Sequence, residues 1–109
     1  MVFQHKELAM GQWQKLSLAE QLGNIGSEVS RAARGEDKDE KLFWGAVERA
    51  LELFDLTLSD LRWKGRHWEI ARAREVFCDA VYGGKLYKSS LQNLTHYFDI
   101  FAFAARKKY

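Results

Sequence analysis

Apolar residues recur through most of this chain at steps of three and four, the period of a helix buried along one side. Leu18, Leu22, Ile25, Val29 and Ala32 follow that rhythm and predict a first helix from Leu16 to Ala33. Ser17 and Glu20 form a capping box at its start, and Gly35 is placed to end it. The acidic turn 35–39 suits the positive end of a second helix, Asp39 to Leu56. Its core stripe is Phe43, Val47, Ala50 and Phe54, widened by Ala46, Leu51 and Leu53, with Glu48 and Glu52 facing water.

The connection DLTLSDLRWKG is leucine-rich and is expected to pack down. A third helix runs from Arg66 to Tyr82 and stops at Gly83-Gly84. A fourth, Ser90 to Arg106, opens on a capping box formed by Ser89 and Gln92. Leu91, Leu94, Phe98, Phe101 and Ala105 make its inner stripe, and Arg106, Lys107 and Lys108 complement its negative end. Residues 2–13, with Phe3, Leu8, Met10 and Trp13, predict a short helix or an arm laid over the rest. Four long helices with short links predict an all-α, antiparallel up-down four-helix bundle in one domain, 1–109.

Three places break the pattern. Arg74 falls on the apolar side of the third helix, between Ile70, Phe77 and Val81 and beside Cys78. A guanidinium there needs a carboxylate partner, because it cannot shed its charge. Asp99 is the first choice, and Glu48, Glu52 and Asp55 are the others. Second, Ala19, Gly23, Gly26, Ser30 and Ala33 form a stripe of small residues. Glycine inside a helix costs about 1 kcal/mol relative to alanine, so Gly23 and Gly26 predict close helix packing. The neighbour would be a large residue such as Trp13 or Trp44, or a second copy of the chain. Third, Ile100 and Phe103 project away from the inner stripe of the fourth helix. That predicts self-association as a homodimer.

Composition narrows the setting. The chain of 109 residues has no proline, which suits helices. The single cysteine excludes an internal disulfide and points to a reduced, cytoplasmic location. The start of the chain lacks the pattern of a secretory signal, and no apolar run is long enough for a membrane. The net charge of +2 divides unevenly. Residues 1–61 carry 7 Lys/Arg against 11 Asp/Glu, and residues 62–109 carry 10 against 4. The halves either neutralise each other inside one fold or leave a basic surface for an anionic partner. Within 62–74, Arg62, Lys64, Arg66 and Arg72 interleave with Trp63 and Trp68, a pattern that also suits nucleic acid.

Little else points to chemistry. His5, His67 and His96 lie in different segments, so no metal site is expected. No glycine-rich phosphate loop, nucleophile elbow or cofactor motif occurs. Arg62 and His67, four residues between them, resemble the R-x4-6-H motif of the HEPN superfamily, although Trp63 stands where that motif usually has a polar residue. The resemblance implies a dimeric helical bundle that binds RNA or cleaves it without metal, with Arg62 and His67 acting on the phosphate. A longer stretch is similar to a family of small uncharacterised prokaryotic helical-bundle proteins. It covers most of 13–105, through LSLAEQLGNIGSEVSRA, ERALELFDLT and REVFCDAVYG. This likeness implies a compact cytosolic domain and brings no activity with it. The reading that follows is a non-enzymatic, self-associating interaction module; the alternative is a HEPN-like RNA-binding or ribonuclease bundle.

Overall fold

The computed structural model describes residues 11–84 and 88–107, with side chains to residue 103. It is an all-α bundle. A single 3-10 turn, Trp13–Lys15, precedes helix α1, Leu18–Gly35. Helix α2 spans Glu40–Leu58, and a 3-10 segment, Leu61–Arg66, leads into α3, His67–Val81; α4 is Leu91–Lys107. Among the described residues there is no strand. No described helix is long and apolar enough to cross a membrane. Phe3, Leu8 and Met10 of the expected arm lie outside the described residues.

Local chemistry accounts for the helix ends. Ser17 Oγ accepts from the Glu20 amide at 3.1 Å, and Glu20 Oε1 accepts from the Ser17 amide at 2.9 Å. The pair satisfies two donors that a helix start leaves open. Asp39 Oδ1 accepts from the Leu42 amide at 3.0 Å and caps α2. The chain turns between α1 and α2 through Asp37, whose φ is 61°. Gly83 and Gly84 end α3 at φ 105° and 70°, a left-handed region that side chains disfavour. At α4 the cap is one residue later than expected. Ser90, not Ser89, accepts from the Asn93 amide at 3.1 Å, so Gln92 cannot complete a box.

The order of packing is α4–α1–α2–α3, with α1 making the most extensive contacts, against α4 and α2. Leu22, Ile25, Val29 and Ala32 of α1 are buried, as are Phe43, Val47, Ala50 and Phe54 of α2. Phe54 lies at the centre, 5.9 Å from Phe77 and 6.0 Å from Phe98 between ring centroids. Burying each of these rings stabilises the fold by roughly 1.5–3 kcal/mol. The α3–α4 contact is thin, and the seam between them is open along one side of the bundle. Glu52 is a correction: it is 2 % exposed rather than facing water. Helix α2 is flanked by both α1 and α3, so its buried arc is wider than one stripe.

Candidate functional site

Arg62 belongs to a polar cluster where α1, α2 and the 3-10 segment meet. Asp60 caps that segment and is 5 % exposed. The Arg62 guanidinium grips it in fork fashion, Nε to Oδ1 at 3.1 Å and Nη2 to Oδ2 at 2.7 Å. Arg62 Nη2 also donates to the Leu16 carbonyl at 2.7 Å. Gln21, fully buried, donates to Asp60 Oδ2 and the Trp13 carbonyl and accepts from Trp63 Nε1. Trp13 Nε1 donates to the buried Thr57 hydroxyl at 3.0 Å, which donates in turn to the Leu53 carbonyl. The Arg62 hydrogen bonds lead the causes that hold the Asp60 carboxyl at about 2, below its usual 3.8; burial opposes them and the Gln21 amide assists.

The other basic residues of this stretch are engaged too. Arg66 pairs with Glu69 at 3.0 Å, and Arg72 lies 5.7 Å from the Trp68 ring centroid. His67 opens α3 and is exposed, as is Lys64. Asp60–Arg62 and Asp55–Arg74 each join the acidic half of the chain to the basic half. Among the described residues, no three His, Cys, Asp or Glu side chains gather where a metal could sit.

Arg74 does meet a carboxylate from another helix, but it is Asp55 of α2 and not Asp99. Nε donates to Oδ1 at 3.0 Å, and the two side chains are 34 % and 36 % exposed. Helix α3 leans on α2, and Asp55 is the acid on that side. Asp99 lies on the far flank of α4, exposed, beside Gly23, Gly26, Ser27, Arg31 and Arg34 of α1. The burial expected for Arg74 is thus only partial, and its guanidinium reaches water along the α2–α3 edge.

Gly23 and Gly26 face α4. A Cβ on Gly26 would stand 2.5 Å from Phe98 Cβ, and one on Gly23 would stand 3.2 Å from Ala102 Cα. The neighbour is Phe98 with Ala102, rather than Trp13 or Trp44. Both glycines let α4 settle directly on the α1 backbone, which fixes which face of α4 turns outward.

That outward face is apolar. Tyr97 is 46 %, Ile100 67 % and Phe103 57 % exposed. The row continues into the open seam between α3 and α4, a groove of about 430 Å³. Ala73, Val76 and Leu94 line its base, Trp68 and Tyr97 its walls, and Arg72 and Asn93 its rim. Trp68 is itself 72 % exposed. A larger cavity, about 480 Å³ at the α1–α2 turn, is lined by Glu36, Asp37, Lys38, Glu40 and Trp44, charges of both signs with no convergent geometry.

Sequence reasoning missed Gln21, Glu28 and Asp60. Glu28 is buried and holds Arg31 at 2.7 Å and Arg49 of α2 at 3.2 Å. The signal was present. Gln21 and Glu28 share the spacing of Ile25 and Ala32, so they are polar residues on an apolar stripe, as Arg74 is. The α3–α4 groove had no such signal, because it depends on how two helices diverge.

Compared with protein-family models, curated proteins and solved structures, the chain matches none.

Proposed function

We propose that this protein is a non-enzymatic helical interaction module that associates with itself in the cytoplasm as a homodimer. The observation that carries the reading is the exposed row Tyr97, Ile100 and Phe103 on α4. Single exposed apolar side chains are ordinary. Three in one row beside an apolar groove are a contact surface. The α1–α4 packing at Gly23 and Gly26 holds this face rigid, so little ordering is lost when it is covered.

Arg62 supports this reading over RNA cleavage. Its Nε and Nη2 are bound to Asp60 and Leu16 and brace the fold. A residue that acts on a phosphate needs those donors for the ligand.

The test is molar mass by light scattering on the purified chain across the micromolar range, with absorbance read at nucleic-acid wavelengths. The expected mass is that of two chains. The double variant Ile100→Asp, Phe103→Asp should be helical and monomeric, because burying new carboxylates opposes association. A wild-type mass of one chain throughout, or a dimer untouched by the double variant, overturns the proposal.

A further inference from the structure

The groove between α3 and α4 and the row on α4 form one continuous surface, concave at one end and convex at the other. We propose that the groove is the receptor for Phe103 of a second copy of this chain, which inserts between Trp68 and Tyr97. This rests on the self-association reading above and names the pocket that completes it.

Register is the first argument. Ile100 stands midway between Tyr97 and Phe103, three residues from each. A two-fold axis through Ile100, at right angles to the row, sets Ile100 against its own copy. It also sets Phe103 against the second copy's Tyr97, and the same contact repeats in reverse, as a closed two-fold interface requires. Tyr97 is a wall of the groove, so Phe103 arrives at its mouth and meets Trp68 on the other side. Rows of residues three apart run at about 45° to a helix axis, so the two α4 helices cross near a right angle.

Chemistry is the second. The groove's base is aliphatic and its walls are aromatic, so an inserted phenyl ring finds Val76 and Leu94 beneath it and two rings beside it. Aromatic pairs prefer the offset or edge-on contacts that such walls allow. Large aromatics seated in a partner's pocket carry much of the energy of protein interfaces.

Charge is the third. Asp99, one turn before Phe103, is exposed. The same crossing brings it toward the groove's polar rim, where Arg72 offers a guanidinium and Asn93 an amide. A carboxylate against that rim fixes the orientation of the inserted helix. Trp68, 72 % exposed and steadied by Arg72, then has a role that fold stability does not require of it.

The experiment uses the full chain in a Cys78→Ser background. Trp68→Ala should raise the dimer dissociation constant about tenfold or more while leaving the helical signal and melting temperature of the monomer unchanged. Mixing Trp68→Cys with Phe103→Cys chains should give an inter-chain disulfide under mild oxidation, because a disulfide forms only where Cβ atoms come within about 4.5 Å. Glu48→Cys mixed with Phe103→Cys should give none. If Trp68→Ala dimerises as wild type does and the mixed chains do not cross-link, the groove is not the receptor. In that case, if Ile100→Asp, Phe103→Asp is still monomeric, the α4 contact stands without the groove. A wild-type chain that never dimerises overturns both.

Discussion

Gly26→Ala is the sharpest probe of the packing that holds α1 on α4. The added methyl would stand 2.5 Å from Phe98 Cβ and 3.3 Å from Phe98 Cγ. Carbon atoms rest at about 3.5–4.0 Å, so roughly 1 Å of separation must be found. Phe98 is fully buried and in ring contact with Phe54, Tyr97 and Phe101, so it has nowhere to retreat. Helix α4 must lift instead, at about 1–3 kcal/mol for overpacking. Against this stands a gain of about 1 kcal/mol from replacing glycine inside a helix. The net expectation is a loss of about 1–2 kcal/mol, or several degrees in melting temperature. Two companions calibrate it. Gly45→Ala meets only the flexible end of Arg49, at 3.4 Å, and should gain up to about 1 kcal/mol. Gly23→Ala, 3.2 Å from Ala102 Cα, should fall between them. Urea unfolding followed by far-ultraviolet circular dichroism ranks the three. If Gly26→Ala is as stabilising as Gly45→Ala, the close approach of α1 and α4 is wrong.

Acid should weaken the cluster around Arg62. The Asp60 carboxyl titrates at about 2 when folded and near 3.8 when unfolded. A depressed carboxylate stabilises above its unfolded value and loses that contribution as pH falls from about 4 to 2. With Arg62 partly in water, the loss is on the order of 1–2 kcal/mol. Asp60→Asn should flatten this part of the stability profile measured by denaturant titration at each pH; an unchanged slope counts against the assignment. For Arg74, the half-exposed pair with Asp55 sets a coupling below about 1 kcal/mol in a double-mutant cycle of Arg74→Met and Asp55→Asn. A coupling near 3 kcal/mol would place that pair in the core.

The four helices were legible because their apolar spacing reports burial directly, and burial here is decided helix by helix. Both glycines that mark close packing were legible too, since their cost inside α1 demanded a neighbour. Which neighbour was not: Phe98 is an ordinary core residue in sequence, and only the crossing of α1 and α4 sets it over Gly26. Arg74 shows the same division. The need for an acid follows from its position, but Asp55 and Asp99 differ only in which helix α3 leans on. Glu52 looked solvated because one stripe was expected for α2, and two neighbours bury two. Gln21 and Glu28 were overlooked while satisfying the rule that exposed Arg74, a failure to apply the rule evenly rather than a missing signal.

The seam between α1 and α4 joins the first long helix to the last. Helices α1 and α2 are neighbours in sequence and can pair as soon as both exist, whereas Gly26 must wait for Phe98 until nearly the whole chain has been synthesised. Closing so long a loop adds little to the entropy cost, which grows only logarithmically with length, but it sets the order of events. While the chain emerges from the ribosome, an α1–α2 hairpin would carry a bare strip of glycine backbone and alanine. Helix α4, arriving last, both covers that strip and brings the outward row of Tyr97, Ile100 and Phe103 into being as a surface. Assembly between copies is thereby timed to follow completion of the individual fold.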